Sequence, residues 1–222
     1  MMPAPAPLLR GLAIAALVVA WAILAHLGSA GGGDPDFAVA MALAPIAAIL
    51  AAIIWRRSPR LATAAVTGFT IGVILSWPAL RSNVALLYFV QHAGTNLALA
   101  ALFGRTLLPG REALVTHFAL LAHGGTISAA KTRYTRQVTL AWSLFFCINA
   151  AISTFLFVFA PATAWSAWAN LGTLPLVGVM FVGEHLVRMR VLLPEDRSSI
   201  ADTIRGYRSA MEERSHGTAG RP

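Results

Sequence analysis

The chain is poor in charge and nearly without cysteine. Only 12% of its 222 residues are Asp, Glu, Lys or Arg, against roughly 25% in soluble domains. Its single cysteine, Cys147, excludes an intramolecular disulfide and any zinc cage built on thiolates. Acidic residues are scarcer than basic ones, 9 against 17. No strand-like alternation and no internal repeat is visible. What the chain has in quantity is hydrocarbon: 57% of its residues are hydrophobic, and its mean hydropathy is +0.69. Lipid suits that composition better than water does.

Six apolar runs stand out: about Leu8–Leu27, Phe37–Trp55, Leu61–Leu80, Val84–Phe103, Val138–Phe159 and Trp165–Val187. Each is close to the roughly 20 residues a helix needs to cross a bilayer. Alanine, leucine and glycine recur in them, as expected where transmembrane helices pack closely. The expectation is an all-α polytopic membrane protein, with a transmembrane domain over 1–193 and a short cytoplasmic tail over 194–222.

The basic residues orient it. With the N-terminus inside, the cytoplasmic segments hold Arg10; Arg56, Arg57 and Arg60; Arg105, Arg111, Lys131, Arg133 and Arg136; and the seven arginines from Arg188 onward. Of the 17 basic residues only Arg81 then lies outside, where Asp34 and Asp36 mark the first external loop. Both termini are therefore placed inside by the positive-inside rule. The same distribution speaks against nucleic acid, because the charge is spread over several membrane-flanking loops with no aromatic groove beside it. The first run also has a signal-peptide reading, with Arg10, an apolar stretch and Gly28-Ser29-Ala30 as a small-residue cleavage site. Its length, with Trp21 and His26 inside it, favours a retained anchor.

Two segments lie outside the spans. The loop Gly104–Gln137 carries five basic residues against Glu112. Leu114, Val115, Phe118, Leu121 and Ala122 recur there at helical spacing opposite Arg111, Glu112 and Thr116. This fits a short helix, either lying on the inner leaflet or linking spans through water, and ended by Gly124-Gly125. In the neutral tail, Ser199 with Asp202 forms a capping-box signature ahead of Ile200, Ile204, Tyr207 and Met211.

Chemistry has few places to sit. Cys147 falls roughly 14 Å inside the fifth span by helical rise, without a nearby cation to lower its pKa. It is expected to be packed as a small hydrophobe. Gly125–Thr132, GTISAAKT, nearly matches a phosphate-binding loop, but Ala130 replaces the second glycine and no strand precedes it. His117 and His123 do not share a helix face, and no metal-ligand set or cofactor motif emerges. The fourth span is richer, since Tyr88, His92, Thr95 and Asn96 form one polar stripe. Asn149 of the fifth span lies at a similar depth. Polar groups there either bond helices together or line a functional cavity, so Tyr88, His92, Asn96 and Asn149 are candidate site residues. At the cytoplasmic end, Glu184 and Arg188 have ion-pair spacing. With Arg133 and Arg136 they form a second candidate cluster, for anionic headgroups or an anionic substrate.

Two stretches, RYTRQVT…W…FF…N over Arg133–Asn149 and GEHLVRMR over Gly183–Arg190, resemble a family of bacterial inner-membrane proteins. They occur in gene clusters for aryl-polyene and other fatty-acid-like lipids, beside acyl carrier proteins and acyltransferases. The resemblance covers about Asn83–Arg190. The family usually has GEYLVR, and His185 here replaces the tyrosine, which argues against an essential phenol at that position. Members are often labelled ketosynthase, a label these residues do not support. Such enzymes need a thiolase-like α/β fold and a cysteine nucleophile with two histidines. The resemblance thus implies a pathway rather than a reaction. The function expected is an accessory protein that positions or moves an acylated product, with membrane lipids and an acidic acyl carrier protein or pathway enzymes as partners. A small proton-coupled transporter and a membrane acyltransferase using His92 are the alternatives.

Overall fold

A computed structural model describes residues 5–56, 58–123 and 125–192. The tail helix expected after Pro194 lies outside the described residues. The protein is all-α and polytopic, with no strand among the described residues. Its helices are α1 (Pro5–Ser29), α2 (Pro35–Trp55), α3 (Pro59–Ser82), α4 (Val84–Gly104), α5 (Leu114–Ala122), α6 (Ala129–Phe159), α7 (Ala162–Ser166) and α8 (Thr173–Val191). A π-helical turn, Ala167–Gly172, joins α7 to α8. Among the described residues six helical stretches are long and apolar enough to cross a membrane, the last running through Ala162–Val191. Their outward surfaces carry side chains such as Leu17 at 75%, Leu75 at 78% and Phe159 at 73% exposure. Such a continuous apolar surface is stable against lipid but not against water.

Local chemistry sets the helix starts. Asp34 caps α2 and Ser58 caps α3, each followed by a proline at the first helical position, where its missing N–H costs nothing. Ser128 accepts from the Lys131 amide at 3.1 Å and so caps α6. That helix therefore begins at Ala129, not at Val138 as the hydropathy suggested. Its length is about 46 Å by helical rise, more than the hydrocarbon core of roughly 30 Å. The extra turns are the RYTRQ segment, too polar for an apolar window yet fully helical. Gly125 ends the loop helix as expected: it sits at φ +95°, and its N–H reaches the Leu120 carbonyl at 2.8 Å.

The chain divides into two compact units. The first comprises the described residues up to Gly94 together with Ala151–Pro175; the second comprises those of Thr95–Ala150 and from Leu176 to Leu192. In the first unit small side chains let helices close up. Ala25, Ala38, Ala42 and Ala169 surround Tyr88 and Trp165, and a Cβ added at Gly28 would sit 2.8 Å from that of Ala38. Phe89 stacks on Phe157 with ring centroids 4.2 Å apart. Arg81, the one basic residue the charge rule leaves out, is paired here, its Nε 3.4 Å from Asp36. The Trp77 indole donates to the same carboxylate at 2.8 Å.

In the second unit Ala100, Tyr134, Val138, Trp142 and Phe146 form the core. Here α5 packs differently from its sequence reading. Its buried positions are Thr116 and Ala119, following buried Ala113, while Phe118 is 44% exposed. The expected polar position, Thr116, faces inward because its hydroxyl meets that of Thr135 at 2.7 Å. Small residues beside it allow close approach to α6. Cys147 is a second correction: it is exposed. Phe146, Asn149 and Ala150 take the inward positions around it, leaving the thiol on the apolar outer face with Leu144 and Ile148.

Candidate functional site

Along α6 in the second unit, Lys131, Tyr134, Thr135, Val138, Trp142 and Phe146 recur at helical spacing and line one cavity of about 440 Å³. That is within the range of small-molecule sites. Leu99 and Phe103 of α4, Val115 and Phe118 of α5, and Phe181, Glu184 and Arg188 of α8 complete it. One end is aromatic. Trp142 lies 4.7 Å from Phe181 and 5.6 Å from Phe146 between ring centroids, with Phe103 5.7 Å from Phe146. The other end is polar. Arg188 donates to Glu184 Oε2 at 2.9 Å, and the Tyr134 hydroxyl lies 3.0 Å from both Glu184 Oε1 and the Glu184 carbonyl. The cavity is therefore amphipathic along its length, with an apolar pocket under a charged rim.

The rim does not follow the sequence reading throughout. Glu184 and Arg188 come together as expected. Arg133 and Arg136 are exposed and do not line the cavity; the Arg136 guanidinium instead donates to the Leu107 carbonyl. Tyr134 and Lys131 take their place. Both were legible in principle, one and two turns ahead of Val138 on the same stripe, once the helix is continued back through RYTRQ. His185 is exposed and does not line the cavity.

The mid-membrane candidates divide between the units. Asn96 and Asn149, of the second unit, are buried at 4% and 3% exposure. Tyr88 and His92 belong to the first, and Thr95 faces outward. Tyr88 donates to the Ala38 carbonyl at 3.1 Å, and Gln91 to the Ala42 carbonyl at 3.2 Å. Around His92 the hydrogen bonds form a directed chain. Trp165 Nε1, which can only donate, reaches Ser153 Oγ at 3.0 Å, and Ser153 Oγ lies 2.9 Å from His92 Nδ1. His92 Nε2 lies 3.0 Å from Thr173 Oγ1, and Thr173 donates to the Trp168 carbonyl at 3.2 Å. The chain is consistent throughout with a neutral ring protonated on Nε2. Ser153 is the second reactive group an acyltransferase would need, yet it is fully buried under Trp165. The arrangement is that of a helix clamp.

A second clamp, not visible in the sequence, ties α1 down. Ser29, buried to 1% exposure, meets the Ser166 hydroxyl at 2.7 Å and accepts from Asn170 at 3.0 Å. His26 Nδ1 reaches Ser166 at 2.8 Å. Among the described residues no three His, Cys, Asp or Glu side chains gather as a metal site. No family model, curated protein or solved structure matches the chain.

Proposed function

We propose that this membrane protein holds an acylated, fatty-acid-like amphiphile at the cytoplasmic side of the bacterial inner membrane, as an accessory component of a fatty-acid-like or aryl-polyene lipid pathway. The observation that carries the reading is the amphipathic cavity, with Trp142, Phe146 and Phe181 at one end and Tyr134, Glu184 and Arg188 at the other. An acyl or aryl chain suits the first, and a polar head suits the second. The pathway rests on the resemblance of Arg133–Asn149 and Gly183–Arg190 to the proteins of those gene clusters. Exposed Arg133 and Arg136 offer positive charge for headgroups or for an acidic acyl carrier protein. The closed chain at His92 supports a clamp over a proton relay or an acyl-transfer base, so the positioning role is preferred to the transporter and the enzyme.

The test is mass-spectrometric profiling of lipids and pigments in a deletion strain carrying wild type, Glu184→Gln or Phe181→Ala, with abundance followed by immunoblot. The reading expects the deletion to lose or misplace an acylated product, and both variants to restore it poorly at normal abundance. A deletion that leaves every acylated species unchanged sinks it.

A further inference from the structure

The cavity of the second unit has a buried wall and exposed edges. Lys131, Tyr134, Thr135, Val138, Trp142 and Phe146, its lining from α6, are all buried. Phe118 of α5 and Phe181 of α8 line it too, yet they are 44% and 59% exposed. Both rings touch the cavity and the surroundings of the protein at once, and so mark a side on which it is open. On α8 that side is apolar. Val179, Val182 and Leu186, the neighbours of Phe181 along the helix, are exposed as well and belong to the surface that suits lipid.

Depth points the same way. The charge distribution puts the start of α6 and the end of α8 on the inner side. On α8, Phe181 lies seven residues before Arg188, about 10 Å by helical rise. On α6, Trp142 lies eight residues beyond Tyr134, about 12 Å. Trp142 and Phe181 meet at 4.7 Å between ring centroids, so the exposed ring of α8 stands at the aromatic end, well past the rim. The cavity runs from polar to apolar in the same direction as the inner leaflet, headgroup first and hydrocarbon beyond.

We infer that the cavity is filled sideways from the inner leaflet, an acyl chain passing in on the side of Phe118 and Phe181 while the head stays level with Tyr134, Glu184 and Arg188. This rests on the amphiphile reading above and names the source of the ligand: a lipid already dissolved in the bilayer, not a chain brought through water by a carrier protein. A chain entering sideways keeps apolar surroundings throughout, whereas one arriving through water exposes its methylenes on the way. A side opening also relaxes the limit on size. One chain of a two-chain lipid enters while the other stays in the leaflet.

The test is photolabelling of the full chain in phosphatidylcholine nanodiscs doped with a phosphatidylcholine that carries a diazirine midway along one chain, with adducts mapped by mass spectrometry. A two-chain lipid stays in the bilayer, so it reaches the cavity from the side alone. Wild type is expected to carry adducts on buried Trp142 and Phe146 at about tenfold the level of buried Trp165, which close packing denies to any chain. Phe181→Trp, with a larger ring at the opening, is expected to cut those adducts about threefold or more, leaving the exposed Leu144 and Ile148 labelled as before. Undiminished labelling of Trp142 and Phe146 in that variant overturns entry past Phe181. A diazirine-bearing hexadecanoate, a single-chain probe, separates the failures. If it labels Trp142 and the phosphatidylcholine does not, the amphiphile reading stands and sideways filling is overturned. If neither labels Trp142 above Trp165, both readings fall. Should Phe181→Trp fail to fold, the ratio of Trp142 to Trp165 in wild type decides alone.

Discussion

Trp165 and His92 in the first unit, and Trp142 and Tyr134 in the second, are aromatic and polar side chains of similar kinds with opposite consequences. Around His92 the polar groups bond to one another, Trp165 to Ser153, Ser153 to His92 and His92 to Thr173. Around Tyr134 the polar groups form a rim above aromatic rings that enclose about 440 Å³. Buried polarity alone therefore does not mark a site in a membrane protein. The distinguishing feature is whether the polar groups close on each other or on a space. The first arrangement holds helices together; the second leaves room for a guest.

Substitutions can sharpen that contrast or break it. The largest effect is expected from Trp142→Ala, which removes the ring shared by Phe103, Phe145, Phe146 and Phe181. Loss of a packed aromatic costs about 3–5 kcal/mol, so both the thermal unfolding midpoint in detergent and the retention of ligand should fall. His92→Ala comes next. It removes one bond each from Ser153 and Thr173, which keep Trp165 and the Trp168 carbonyl as partners, at a cost of about 0.5–1.5 kcal/mol per bond, and should reduce abundance and midpoint together. Loss of the acylated product at undiminished abundance and midpoint would move His92 from clamp to function and dissolve the comparison.

Phe181→Ala should separate the two properties in the other direction. The ring lines the cavity yet is 59% exposed, so ligand retention should drop while the midpoint barely moves. Cys147→Ala is the smallest change. With its thiol on the outer face, stability should stay within about 0.5 kcal/mol of wild type and the product profile should be unaltered. A clear loss in either would return the cysteine to the candidate list.

Hydropathy makes the spans legible, because each run must satisfy its backbone internally and meet lipid with its side chains. It misplaces the start of α6, since a helix emerging among headgroups is as polar as a loop. The Ser128 cap is the sole local signal. That misplacement hid Lys131 and Tyr134, and it placed the cation cluster on Arg133 and Arg136. The Glu184–Arg188 pair was readable from i,i+4 spacing alone. The His92 partners were not, because single hydroxyls such as Ser153 and Thr173 are common in apolar helices. Only packing shows which of them an imidazole meets. The inward turn of Thr116 has the same cause, since its partner Thr135 belongs to another helix.

The most direct measurement is native mass spectrometry of the protein purified from its host membrane, with Phe181→Ala beside wild type. The amphiphile reading predicts one acylated species held at about one per chain by wild type and largely absent from the variant. Wild type free of any retained species beyond bulk lipid, or the same species held equally by both, would contradict it.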